Sequence, residues 1–156
     1  MFSYPWFVVV LVSIPEAFLV ISLGFALYDY RLPTVKAFTI AIITALCTYF
    51  IRCLPLMWGI HTITAVVVLT ALAVLILKTN LLGSLVAVLT GVVILLVIQS
   101  LLAPGFFAVT NTTLTDMANN PWLNVWFFVP QGIVLILTYC FARIKGYYIY
   151  KVNWDR

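Results

Sequence analysis

Long apolar runs separated by short polar segments dominate the chain. Five runs approach the roughly 20 residues that an α-helix needs to cross a bilayer core about 30 Å thick. They cover residues 5–27, 36–55, 60–77, 80–102 and 121–142. Because an open sheet leaves its backbone groups unpaired in hydrocarbon, the pattern predicts an all-α bundle of five transmembrane helices, forming a single domain over residues 1–156.

The composition agrees with this pattern. Hydrophobic residues make up 65% of the chain and charged residues only 8%, whereas soluble domains carry about 25% charged residues. We therefore expect a multi-pass protein of the cell (cytoplasmic) membrane, surrounded by membrane lipids. The N-terminal run lacks a basic segment and a small-residue cleavage site, so it is interpreted as a retained helix. The net charge of +4 comes from scattered residues, and no nucleic-acid partner is expected.

The distribution of lysine and arginine predicts the orientation, because these residues accumulate in cytoplasmic loops. With the N-terminus outside, the outer side carries only Arg52. The cytoplasmic side then carries Arg31, Lys36, Lys78, Arg143, Lys145, Lys151 and Arg156. This asymmetry predicts an outer N-terminus and a cytoplasmic C-terminus.

Small residues recur every four positions in two of the runs, which places each set on one helix face. In lipid, such residues allow the backbones of two helices to approach closely. The second run contributes Ala37, Ala41 and Ala45, and the fourth contributes Gly83, Ala87 and Gly91. We expect these two stripes to pack against each other, or alternatively one of them to face a second copy of the chain.

Glu16 is the most unusual residue of the first run. At about 1.5 Å per residue it lies roughly 15 Å deep, near the bilayer midplane, where an acidic side chain costs about 2.5–3.5 kcal/mol. The preceding Pro15 removes a helical hydrogen bond and can kink the helix. We therefore expect Glu16 to face the bundle interior, either in a functional site or as a buried, hydrogen-bonded packing group.

Other polar residues lie where they can reach Glu16. The fifth run repeats the pattern of the first, since Pro130 and Gln131 follow a Pro-Trp pair as Pro15 and Glu16 do. A neutral Glu16 would hydrogen-bond Gln131, whereas an ionised one would face Arg52. The predicted ligand-binding or partner-binding set, open to the outer side, is Glu16, Arg52, His61, Gln99 and Gln131. For Arg52 and His61, simple snorkelling to the interface is the competing interpretation.

Catalytic and metal-binding patterns are lacking. The cysteines Cys47, Cys53 and Cys140 lie in or beside apolar runs without a CxxC spacing, which favours buried small side chains over redox or metal chemistry. There is no HExxH or GxSxG motif and no paired aspartates. The sequence therefore predicts no enzyme activity, no cofactor and no metal.

Three segments carry a resemblance to a known family. "SIPEAF" in the first run, "IRCLPLMWGIHT" between the second and third, and "VPQGIVL" in the fifth resemble the N-terminal membrane sensor region of peptide-pheromone-type bacterial histidine kinases. The resemblance implies an external or membrane-dissolved ligand and a signal that leaves through the cytoplasmic end of the fifth helix. No phospho-acceptor or ATP-binding segment accompanies it, so it implies a sensor module without the kinase.

These observations favour a small integral membrane sensor or regulatory protein of a bacterial type. It would bind a ligand or partner helix from the outer side and act through other membrane proteins or as a homo-oligomer. The alternative is an accessory or structural subunit of a larger membrane complex, such as a transporter or respiratory assembly. A small oligomeric transporter is a third hypothesis, and an intramembrane enzyme is the least favoured.

Overall fold

The computed structural model describes residues 5–52, 60–146, 148, 149 and 154, without the side chains of residues 52, 60, 61, 114 and 118. Over these residues the chain forms six helices and no strand, which confirms the all-α prediction. The helices are α1 (Trp6–Ala26, with a π-helical segment Val9–Ser13), α2 (Thr34–Arg52), α3 (Ile60–Leu77), α4 (Leu81–Thr110), α5 (Leu114–Asn119) and α6 (Pro121–Lys145).

Four of these helices are long and apolar enough to cross a membrane, namely Trp6–Ala26, Thr34–Ile51, Leu81–Thr110 and Pro121–Lys145. The apolar helix Thr62–Leu77, which corresponds to the predicted third span, is shorter. Large apolar side chains cover the outside of the bundle, and Val35, Leu82 and Leu101 are each about three-quarters exposed. Such a surface fits contact with lipid, and the fold is that of a multi-pass membrane protein.

Helix α1 is the central element of the bundle. It packs against α2, α4 and α6, while α3 packs against α2 and α4. The C-terminal half of α1 is buried from Val20 to Phe25, including the fully buried Ile21 and Leu23. Because α1 touches three other helices, the side chains of its C-terminal half meet protein on every face.

Helices α1 and α4 approach each other through their glycines. A Cβ atom on Gly91 would lie 2.5 Å from the carbonyl oxygen of Val20, and one on Gly24 would collide with the carbonyl oxygen of Ala87. These contacts are closer than any side chain tolerates, so both positions require glycine. The order of the pairs along the chain makes α1 and α4 antiparallel.

The predicted contact between the two small-residue stripes is therefore wrong. Gly83, Ala87 and Gly91 are buried as expected, but the stripe faces α1 and not α2. Ala37, Ala41 and Ala45 are also buried, on a helix whose main neighbours are α1 and α3. That two small-residue stripes lie at the same depth in the membrane does not show that they touch each other. Here α1 lies between α2 and α4.

Helices α1 and α6 run parallel to each other. Near one end, the rings of Phe7 and Trp122 stack with centroids 4.9 Å apart, and further along Gln131 contacts Glu16. The same separation along the sequence divides Phe7 from Glu16 and Trp122 from Gln131. The two proline-containing helices are thus in register, as their repeated pattern predicts.

The C-terminal segment returns to the end of α1. The indole of Trp154 stacks on Phe25, with centroids 5.1 Å apart, and meets the ring of Tyr30 edge-on. Its Nε1–H donates a hydrogen bond of 3.2 Å to the Tyr28 carbonyl oxygen, and the Ile149 N–H donates one of 2.7 Å to the Leu27 carbonyl. These contacts hold the tail against the bundle.

We expect Trp154→Ala to release the tail. The substitution removes two aromatic contacts, each worth about 0.5–1.5 kcal/mol. The fraction of molecules with a released tail should therefore rise about tenfold, and the rate of tryptic cleavage after Lys145 or Lys151 should rise by the same factor. Limited proteolysis followed by mass spectrometry measures this rate. Trp126→Ala, at a side chain 66% exposed, is the control. Equal cleavage of the two variants would contradict the docking.

Candidate functional site

Three polar side chains from three different helices meet inside the bundle. The Gln99 Nε2 amide donates to Glu16 Oε1 at 3.1 Å, and the Gln131 Nε2 amide donates to the same oxygen at 3.1 Å. Gln99 Nε2 also donates to Gln131 Oε1 at 3.3 Å. Gln131 is 2% exposed. We call Glu16, Gln99 and Gln131 the amide–carboxyl cluster.

The backbone before Glu16 is adapted to Pro15. Proline has no N–H, and its ring displaces the carbonyl four residues earlier, here that of Leu11. The helix is π-helical over Val9–Ser13, and the Ile14 N–H bonds the carbonyl of Val9, five residues back. Such wide turns are frequent at functional sites. This one ends shortly before Glu16, whose carboxyl it directs towards α4 and α6.

The packing of α1 sets the positions of the two glutamines. Close approach at Gly24 and Gly91 fixes the antiparallel register of α1 and α4. In this register Glu16 lies beside the helical turn of α4 that ends at Gln99. The stacked pair Phe7 and Trp122 fixes the parallel register with α6 and brings Gln131 to the same level. The cluster is therefore a consequence of interhelical packing.

The hydrogen-bond pattern restricts where a proton on Glu16 can reside. Oε1 accepts from two amide groups, which an ionised carboxylate does, and which a neutral carboxyl group with its proton on Oε2 also does. Both amide donors suit a carboxylate oxygen and a neutral carbonyl oxygen alike, so the cluster tolerates both charge states of Glu16.

A cavity of about 180 Å³ opens beside the cluster, between α1, α2, α3 and α4. Apolar side chains form part of its wall, including Val20, Leu69 and Leu95. Among the described residues, six side chains form its polar wall, and all of them carry oxygen: Ser13, Glu16, Thr44, Thr48, Thr62 and Gln99.

Thr44 differs from the other hydroxyl residues of this wall. Its side chain is 2% exposed, and among the described residues its Oγ1 has no hydrogen-bond partner. The neighbouring Thr48 hydroxyl instead donates to the carbonyls of Thr44 and Ala45, at 2.9 and 3.0 Å. A buried hydroxyl without a partner costs about 1–3 kcal/mol, so the Thr44 hydroxyl marks a place where a bound molecule would gain a hydrogen bond.

A second cavity of about 150 Å³ lies on the α6 side of the cluster. Its lining combines the cluster itself with Asn124, Phe127, Phe128 and Val12. Glu16 and Gln99 line both cavities. Glu16 and Gln99 therefore lie between the two cavities.

The structure brings together three of the five residues predicted for the site, Glu16, Gln99 and Gln131. The predicted contact of Glu16 with Gln131 is present, and Gln99 lies at the same level, in contact with both. The side chains of Arg52 and His61 lie outside the described residues. Within the described residues, no three His, Cys, Asp or Glu side chains group as metal ligands.

Sequence reasoning overlooked the hydroxyl side of the larger cavity, formed by Ser13, Thr44, Thr48 and Thr62. A signal was present, because Thr44 and Thr48 are four residues apart and therefore share one face of α2. Isolated serine and threonine residues are common in membrane helices, however, where they bond their own backbone. Their exposure to a cavity depends on the neighbouring helices.

Comparison with known proteins adds no relative to this description. No protein-family model, no curated protein and no solved structure matches the chain significantly.

Proposed function

We propose that the protein is a small sensor or regulatory protein of the cell membrane. It binds a small ligand, entering from the outer side, in the cavities beside the amide–carboxyl cluster, and it acts through other membrane proteins. The observation that carries this proposal is the buried hydroxyl of Thr44, without a partner among the described residues, facing a 180 Å³ cavity that Glu16 also lines.

Energetic cost supports a binding role over a purely structural one. The hydrogen bonds from Gln99 and Gln131 already suffice for a packing role of Glu16, yet the hydroxyl side chains of Ser13, Thr44, Thr48 and Thr62 line the adjoining space as well. A buried hydroxyl without a hydrogen-bond partner lowers the free energy of unfolding, and Thr44 Oγ1 has none among the described residues. A ligand that occupies the cavity and pairs with Thr44 offsets this cost.

A cysteine-accessibility experiment tests the binding function. Thr44→Cys is introduced after Cys47, Cys53 and Cys140 are replaced by alanine, and methyl methanethiosulfonate is added to membrane vesicles. We expect the thiol at position 44 to react at least tenfold faster than a thiol at position 70. Thr70 is the matched control, since its hydroxyl is also buried and unpartnered among the described residues but lines neither cavity. If the thiols at positions 44 and 70 react equally slowly, the proposed binding site is wrong.

The proposed topology has five membrane spans and an outer N-terminus. The helix directions support it, since α1 is antiparallel to α4 and parallel to α6. If α2 leads the chain away from the end of α1, then α3 has to cross back before α4 can run opposite to α1, and five spans result. The concentration of basic residues on one side supports the orientation.

We expect a cysteine at position 115 to react with an impermeant thiol reagent added outside intact cells. This position is an exposed threonine in α5, between the outer ends of α4 and α6 in the proposed topology. A cysteine at position 78 is the control, which should react only after the membrane is permeabilised. The opposite pattern would overturn the orientation.

In this proposal, α6 transmits the effect of ligand binding to the other end of the bundle. Gln131 belongs to the cluster, and α6 continues without interruption to Lys145. A ligand that changes the hydrogen bonds of Gln131 can therefore change the position of the end of α6. The resemblance to histidine-kinase sensor regions implies an output at the same end.

A further inference from the structure

All lysine and arginine side chains that the structure describes lie at one end of the bundle. The contact of Gly24 with Ala87 places the start of α4 beside the end of α1. The segment after α6 reaches the same end, where the Ile149 N–H donates to the Leu27 carbonyl oxygen. Five exposed basic side chains belong to this end, which we call the basic end: Arg31, Lys36, Lys78, Arg143 and Lys145.

Acidic residues do not neutralise the basic end. The connection after α1 contains Asp29, and the tail contains Asp155 together with Lys151 and Arg156. The basic end and the tail together therefore contain seven basic residues and two acidic ones. Five positive charges remain even if each aspartate pairs with a basic residue. This excess holds for any placement of the tail residues outside the described part of the chain.

The basic residues lie at the edge of the apolar surface of the bundle. Ile144, between Arg143 and Lys145, is exposed, and so is Val35, next to Lys36. In a membrane protein, hydrocarbon chains of the lipids cover such apolar side chains. The positive charges therefore lie where the hydrocarbon ends and the headgroups begin.

Two of these cations are held against aromatic rings one turn back along α6. The Arg143 guanidinium lies 5.8 Å from the centroid of the Tyr139 ring, and its Nη1–H donates to the Tyr139 hydroxyl oxygen at 3.0 Å. The Lys145 Nζ lies 4.9 Å from the centroid of the Phe141 ring. These contacts keep both charges close to the helix surface, beside apolar side chains. Arginine has further N–H groups that can donate to a phosphate.

From the excess of positive charge and its position at the apolar edge we infer that the basic end binds the headgroups of anionic phospholipids. Arg143 and Lys145 contact the phosphate at the end of α6, and the acyl chains cover Ile144. Each basic residue near an anionic membrane surface raises the affinity roughly fivefold. A phospholipid accounts for the charges and for the neighbouring apolar side chains, whereas a soluble anion accounts only for the charges. The inference is independent of ligand binding in the cavities.

Fluorescence quenching beside the two cations tests this inference. The full chain, with Cys47, Cys53 and Cys140 replaced by alanine, carries Ile144→Cys labelled with bimane, in phosphatidylcholine bilayers. Phosphatidylglycerol or phosphatidylcholine with a nitroxide on one acyl chain is then added, and a nearby nitroxide quenches the label. We expect half-maximal quenching at an at least fivefold lower mole fraction of phosphatidylglycerol. This preference should weaken in 1 M sodium chloride, where the Debye length falls to about 3 Å.

Val109→Cys is the matched control for the position. Val109 and Ile144 are both 84% exposed, and each is the next-to-last residue of its helix. Val109 lies at the opposite end of the bundle, where the sequence has one arginine, Arg52, and the acidic Asp116. We therefore expect at most a twofold preference for phosphatidylglycerol there. An equal preference at positions 109 and 144, or none at position 144, would overturn the inference.

Two double variants test the charges themselves. Arg143→Gln with Lys145→Gln should reduce the preference at position 144 to below twofold, whereas Arg143→Lys with Lys145→Arg should retain it. Both pairs of side chains are exposed, so we expect both variants to fold. A full preference in the glutamine variant would remove the end of α6 from the site and overturn the inference. Loss of the preference on addition of inorganic phosphate at constant ionic strength would assign the site to a soluble anion and also overturn it.

Discussion

Replacing Glu16 with leucine is expected to lower the free energy of unfolding by about 2–4 kcal/mol. The hydrogen bonds from Gln99 and Gln131 to Glu16 are lost, each worth about 0.6–1.7 kcal/mol in a membrane protein. The amide of Gln131, 2% exposed, also loses its acceptor on Glu16, and a buried donor without its partner adds about 1–3 kcal/mol. Gln99 and Gln131 keep their mutual contact of 3.3 Å, which limits the loss. Reversible unfolding in mixed micelles measures the difference.

Glu16→Gln is the control for this loss. The amide oxygen of glutamine can accept the two hydrogen bonds that Glu16 Oε1 accepts now, and the side chain has the same size. We expect a change below about 1 kcal/mol. If Glu16→Leu is no less stable than Glu16→Gln, the cluster does not stabilise the bundle, and Glu16 is retained for binding alone.

The second large effect is expected at the contact of α1 with α4. Gly91→Ala places a methyl group 2.5 Å from the Val20 carbonyl oxygen, a backbone atom that no rotamer change can move. The helices must separate, at a cost of about 2 kcal/mol or more, and Gly91→Leu should be more damaging. Because this register positions Gln99, the reaction rate of a thiol introduced at position 44 should also change. Unfolding free energy and thiol reactivity are the two measurements.

Gly105→Ala is the matched control on the same helix. A Cβ atom there has nothing within 4 Å, so only helix propensity acts, and it favours alanine over glycine by about 1 kcal/mol. The two substitutions should therefore have opposite signs. Equal effects at positions 91 and 105 would mean that the close approach of α1 and α4 does not contribute to the fold.

The apolar pattern of the chain was sufficient to predict the class of the fold. Runs of apolar residues near the length of a bilayer core leave the backbone few alternatives to helices, and the described residues are all-helical, with four helices long enough to span. The pattern also indicated that Glu16 faces protein, because an isolated acidic group is costly in lipid. The repeated pattern, in which a Pro-Trp pair is followed nine or ten residues later by a proline and a polar residue, correctly paired Glu16 with Gln131, because two parallel helices with nearly equal spacing bring these residues to similar depth.

The choice of neighbouring helices, in contrast, followed from the packing of the whole bundle. The stripes of alanine and glycine indicated close packing of helices. A small side chain allows any helix to pack closely against it, however, and the glycine stripe of α4 packs against α1 instead of α2. That choice brought Gln99 to Glu16. It also left the Thr44 hydroxyl facing a cavity, because the shape of an internal space depends on four helices at once. Periodicity within one helix identifies a face, whereas the group opposite that face is set by the other helices.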